Sequence, residues 1–146
     1  VNRAAVRPAG DWIRGISIRQ PWTAAILSGA KTIENRSRPW RGWILLHASL
    51  TLDRPALRTP LVARTVHGRA LVTGAVHRVA RLTDCHQDPD GSPPCTEWAQ
   101  PGRWHLVLAD VQALALPLTA RGQLGAWRPT DDLLSRVLRQ LPDLRP

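Results

Sequence analysis

The chain has no tyrosine, no phenylalanine and no methionine, and Lys31 is its only lysine. Without tyrosine no phenolic acid or base is available to its chemistry, and stacking falls to seven tryptophans. Two cysteines, Cys85 and Cys95, cannot make a disulfide scaffold. Thirteen prolines and ten glycines are too few for a collagen-like or disordered chain. No apolar run approaches the ~20 residues of a membrane span, so no membrane partner is expected. Val1 to Gly10 lack an apolar core. The expectation is therefore no secretory signal and a cytoplasmic, reducing setting, in which the 83–100 loop closes no disulfide.

What is present is an ordinary globular composition: 146 residues, 43% hydrophobic and 21% charged, about one domain's worth. Residues 1–11 are polar, hold Pro8 and Gly10, and read as a flexible leader to a single domain over 12–146. Twenty basic side chains face eleven acidic ones, a net charge of +9. GC-rich coding accounts for arginine replacing lysine, but not for the surplus of bases. That surplus favours a polyanionic partner: RNA, DNA, or a nucleotide or nucleoside. A monomer is expected.

Along the chain, Ile13, Ile16 and Ile18 around Gly15 predict a first strand. Pro21 opens a short helix carrying Trp22, Ala25 and Ile26, which Gly29 stops. Thr32–Arg36 and the apolar 42–48 predict two strands, and 53–67 a helical stretch broken by Pro55 and Pro60. A long β-branched strand is expected over 70–82 with a bend at Gly74, then a loop over 83–102, a strand over 103–114 and an irregular 117–129. Leu133, Leu134, Val137, Leu138 and Leu141 form the apolar face of a closing helix, 131–141, with Thr130 as its N-cap. Five or so strands with two or three short helices predict an α+β, mainly β domain: a small curled sheet or barrel with helices at its edges.

The densest segment runs from Ser17 to Ser49. Thr32, Glu34 and Arg36 alternate with Ile33, so they share one strand face, which needs a wet surface or a lined cleft. Strict alternation puts Lys31 on the other face, but a turn at 30–31 lets it join Glu34. The bland alternative is a surface Glu34–Arg36 ion pair of little energetic weight.

The string RQPWTAAILSGAKTIENR, followed by a tryptophan-rich strand ending His47-Ala48-Ser49, resembles the ASCH domain family. Its G-x-K-x-x-E-x-R signature is met by Gly29, Lys31, Glu34 and Arg36. Gly74 to Leu82, Trp104 to Leu106 and the 116–127 segment resemble its later parts, so the likeness covers roughly residues 12–128. The resemblance implies a small PUA-like β-barrel with a cleft at its mouth, lined by Lys31, Glu34 and Arg36 beside Arg19, Trp22 and Trp40. Arginine forks grip phosphate, a tryptophan face stacks a base, and Glu34 accepts from the exocyclic amine of cytosine or adenine. Some members resemble amidohydrolases that remove an acyl group from cytidine with a lysine, a threonine and a glutamate. That subset points to Lys31, with Thr32 and Glu34 as partners, although its threonine falls at Glu34. Other members are ribonucleases with a tyrosine, which this chain lacks. A catalytic lysine must be brought well below ~10.4; Arg19 and Arg36 push that way and Glu34 the other. An adaptor domain that binds a protein partner is the reading from another class.

The remaining polar residues carry less. His47 reads as a hydrogen-bonded core histidine, while His77, Arg78 and His105 are ambiguous. Cys85, His86 and Cys95 invite zinc, but no paired C-x-x-C is present and a fourth ligand would come from His77 or a carboxylate, so no metal or other cofactor is expected. Arg121 to Gly125 lacks the ending of a phosphate loop, and Arg121 is expected on the basic rim of the cleft.

Overall fold

A computed structural model describes residues 11–146. The expected leader lies outside them except for Asp11, which pairs with Arg128 at 2.7 Å. The domain is mainly β, with one six-stranded mixed sheet and a few short helices. In chain order the elements are β1 (Ile13–Gln20), α1 (Trp22–Leu27), β2 (Ile33–Arg36), β3 (Gly42–Leu52), a 3₁₀ turn (Pro55–Arg58), α2 (Pro60–Val66), β4 (Ala75–His86), β5 (Trp104–Thr119), β6 (Ala126–Trp127) and α3 (Asp131–Gln140). No helix among the described residues is long and apolar enough to cross a membrane.

The strand order is β2-β5-β4-β3-β1-β6. β1 and β3 run parallel, and every other neighbouring pair is antiparallel. Central β3 is buried on both faces, which suits its unbroken apolar run. Ile44 and Leu46 join Ile16, Ile18, Ala80, Leu82 and Leu106 in one cluster. Leu45, one residue out of phase, joins Ile13, Val76, Val79 and Trp127 in another, which Leu133, Leu134 and Val137 of α3 cover. The leucine-rich helix thus packs on its own sheet. A third cluster joins α1 and α2 through Ala24, Ala25, Val62 and Val66, with Ile33 and Trp98.

The sheet curls. Four inter-strand steps separate β2 from β1, or roughly 19 Å if flat. Yet the Arg36 guanidinium of β2 reaches the Ser17 carbonyl of β1 at 3.3 Å. Gly15 is required on β1, because a Cβ there would fall inside the Trp127 indole that closes over it.

The elements depart from expectation at their ends. β4 starts after Gly74, whose φ of +68° takes the left-handed region, and it continues through Cys85 and His86 rather than ending at 82. β5 runs on through Pro117 to Thr119. Proline is tolerated there because β2 pairs only with residues 104–107 of β5, so the far half of that strand has an unpaired side.

Candidate functional site

The curl leaves a cleft of about 1050 Å³ where the two ends of the sheet face each other. Glu34 and Arg36 of β2 form one wall, Ser17, Ile18 and Arg19 of β1 the other. Trp22 opens α1 beside it, Trp40 comes from the β2–β3 turn, and Gln100 and Arg103 come from the long β4–β5 connection. Lys31, Arg19, Arg36, Arg38 and Arg103 line it against Glu34 and Asp53, so bases lead five to two.

Local folding explains how Lys31 comes in. α1 ends at Gly29, whose φ of +84° reverses the chain. Lys31 therefore sits one turn before β2, and its side chain folds under that strand. Its Nζ donates to the Ile33 carbonyl at 2.7 Å and lies 3.4 Å from Glu34 Oε1 and 5.8 Å from the centre of a Trp22 ring. Lys31 as a whole is 2% exposed. Burial holds its pKa below the ordinary lysine value; Glu34 opposes that shift and Arg36 adds to it.

Glu34 is also buried. Its Oε1 accepts from the Asn35 backbone N–H at 2.8 Å, but its Oε2 has no partner among the described residues. Trp40 Nε1, also in the cleft lining, is likewise buried and unpartnered. A buried carboxylate oxygen and a buried indole N–H left unmatched in one hollow call for a donor and an acceptor that the other described residues do not supply. Arg19 and Trp22 meet at Asp53: Trp22 Nε1 donates to Asp53 Oδ2 at 2.9 Å, and Arg19 Nη2 lies 3.7 Å from the same oxygen. This pins the indole while the Arg19 side chain stays 57% exposed.

Of the residues singled out in the sequence, Arg19, Trp22, Lys31, Glu34, Arg36 and Trp40 share this cleft. Two do not. Thr32 precedes β2, is exposed, and lines a second hollow of about 250 Å³ that it shares with Lys31, Gly29 and Arg78 but not with Glu34, so strand alternation does not extend back to it. Arg121 is exposed and off the cleft, because the chain at Gly122 crosses tightly over Ser17 and His47. Glu34 pairs with Lys31 rather than Arg36, whose guanidinium is spent on the Ser17 carbonyl. His47 is buried, with Nε2 against the Ala120 carbonyl at 2.7 Å.

Sequence reasoning missed Asn35, Gln100 and Arg103. Asn35 ties β2 to the β4–β5 connection: its Nδ2 donates to the Trp98 carbonyl at 2.8 Å and its Oδ1 accepts from Gln100 N–H at 2.9 Å. A second polar assembly lies outside the cleft, at the base of that connection; the sequence pointed to its His86 and Cys95 and to a carboxylate, but with Cys85 in place of His105. His86, Asp88, Cys95 and His105 bring ligand-type atoms within 4.8 Å of one another. Cys85 is not among them; it points into the core.

No protein-family model matches the chain, and no curated protein matches it.

Proposed function

We propose that this is an ASCH-like domain with a PUA-type barrel, and that the cleft binds a nucleotide or a short stretch of RNA or DNA. The observation that carries the reading is Glu34 Oε2, a buried acceptor with no donor among the described residues, in a hollow rich in arginine and flanked by indoles. An exocyclic amine of cytosine or adenine supplies that donor. Trp22 or Trp40 offers a stacking face, and Arg19, Arg38 and Arg103 stand ready for phosphate. Partners of other chemistry fit less well: an acidic ligand without a donor leaves Glu34 unmatched and opposed.

Calorimetric titration with cytidine, adenosine and uridine monophosphates and with short RNA and DNA oligomers tests the reading. The expected result is preference for the amine-bearing bases, about tenfold or more over uridine, and loss of that preference in Glu34→Gln. No binding by any of these ligands overturns it.

Lys31 supports a second, hydrolytic reading. Burial holds the Lys31 pKa below its ordinary value, and Nζ lies 3.4 Å from the Glu34 carboxylate beside the cleft, a pair between which a hydrolytic site could pass a proton. Thr32 shares a second hollow with Lys31 but stands apart from Glu34 and the main cleft, so a set of Lys31, Thr32 and Glu34 is not assembled there. Steady-state release of the acyl group from N4-acetylcytidine, or of cut RNA, lost in Lys31→Ala, is the outcome this reading requires.

A further inference from the structure

We propose that His86, Asp88, Cys95 and His105 form a four-ligand site for a structural dication of the zinc type, which fastens the long β4–β5 connection to its hairpin. The register brings the two imidazoles together: His86 at the end of β4 pairs directly with His105 at the start of β5. Their rings meet edge to face with centroids 5.5 Å apart. Asp88 and Cys95 come from the connection itself and fold back over them.

The spacings are those of a coordination shell. His86 Nε2 lies 3.4 Å from Asp88 Oδ1, His105 Nδ1 lies 3.5 Å from Asp88 Oδ2, and Cys95 Sγ lies 3.6 Å from His105 Nδ1. A tetrahedral shell with bonds of ~2.0–2.3 Å has ligand-to-ligand edges of roughly 3.3–3.7 Å. These three distances fall in that range, and all four ligand-type atoms lie within 4.8 Å of one another, so a small inward shift closes the shell.

The outer contacts point the same way. His86 Nδ1 lies 2.8 Å from Asp84 Oδ2, so it carries the proton and donates it there. This leaves the Nε2 lone pair facing Asp88. His105 Nε2 donates to the Gln100 carbonyl at 2.8 Å, leaving the Nδ1 lone pair facing Asp88 and Cys95. Asp88 Oδ2 is steadied by the Cys95 backbone N–H at 2.9 Å. In its neutral form each imidazole then presents its free nitrogen to the cluster, held by a carboxylate and a carbonyl, the usual outer partners of ligating histidines. Two lone pairs aimed at a carboxylate and a sulfur repel unless a cation or a proton lies between them. One thiolate and one carboxylate balance a divalent charge. Two nitrogens, one sulfur and one oxygen suit zinc over magnesium or calcium. Four protein ligands complete the shell, so the site is structural rather than catalytic.

This inference is independent of what the cleft binds. The test uses the full chain purified without an affinity tag, its metal content measured by mass spectrometry, and titration of the metal-stripped protein with zinc chloride and cobalt chloride. One zinc per chain is expected, with cobalt giving a tetrahedral visible spectrum and a thiolate charge-transfer band. Cys95→Ser, at an exposed position, removes the charge-transfer band, and Cys85→Ala keeps it. Asp84→Asn weakens zinc affinity about 10- to 100-fold through His86. Circular dichroism of each variant verifies the fold. The proposal is overturned if the folded wild-type chain takes up neither metal, or if the charge-transfer band survives in Cys95→Ser. Either result leaves a plain hydrogen-bonded cluster.

Discussion

Lys31 is the residue on which the cleft turns, and its burial has a thermodynamic sign. Its pKa in the folded chain lies below the unfolded value of ~10.4, so between those two values the unfolded chain holds more protons. Stability therefore rises with pH across that window, and below it the charged form is the one that burial penalises. Lys31→Met, which keeps the stem and deletes the charge, is expected to flatten that rise in urea midpoints measured from neutral to alkaline pH. A rise unchanged in the variant would mean that another group carries it. The pairing of Lys31 with Glu34 was legible from the turn at Gly29. That Thr32 would fall away from them was not: the sequence shows alternation but not where a strand begins, and β2 begins at Ile33. The unmatched Glu34 Oε2 was equally hidden, because satisfaction of a polar atom depends on neighbours from several strands.

At the scale of elements, α3 shows how closely local chemistry can be read. Thr130 Oγ1 accepts from the Leu133 backbone N–H at 3.1 Å, and Asp131 and Asp132 stand in the first turn where the helix dipole favours them. Thr130→Ala is expected to lower stability by about 1 kcal/mol in denaturant melts, with an unchanged m-value. The β4–β5 hairpin was read less well. Its loop was expected from residue 83 because Asp, Pro and Gly crowd the following stretch, yet β4 passes a register shift at Thr83, and Asp84, Cys85 and His86 stay in the ladder. That extension brings His86 opposite His105. The metal-type cluster was half legible: His86 and Cys95 stood out in the sequence, but the pairing of His86 with His105 depends on the hairpin register, and Cys85 in the same strand turns into the core instead. A His-x-Asp at one strand end with a histidine at the start of the next was the available signal.

For the molecule as a whole, bases outnumber acids both along the chain and where the sheet ends meet. A net charge of +9 and five bases to two acids in the cleft make association with polyanions strongly dependent on ionic strength. If two or three of the cleft arginines engage phosphates of a single strand, log affinity is expected to fall against log salt with a slope of roughly −1.4 to −2.1. Oligonucleotide titrations between about 50 and 200 mM salt measure it. A slope near zero would remove phosphate from the account and favour a nucleoside or protein ligand. The mainly β character with short helices was legible from period and turn residues. The curl that makes the cleft was not, because it arises from twist accumulated over six strands and from Arg36 spanning the gap between them.

One consequence follows from the single lysine. The chain offers acylating and reductive-alkylating reagents one side-chain amine, and that amine lies on the floor of the hollow with little access to solvent. Burial already slows its reaction, so the labelling rate of the unaltered protein follows how often Lys31 leaves Glu34 and the Ile33 carbonyl, and a molecule lodged in the hollow is expected to slow it further, free of the background that a lysine-rich surface would add.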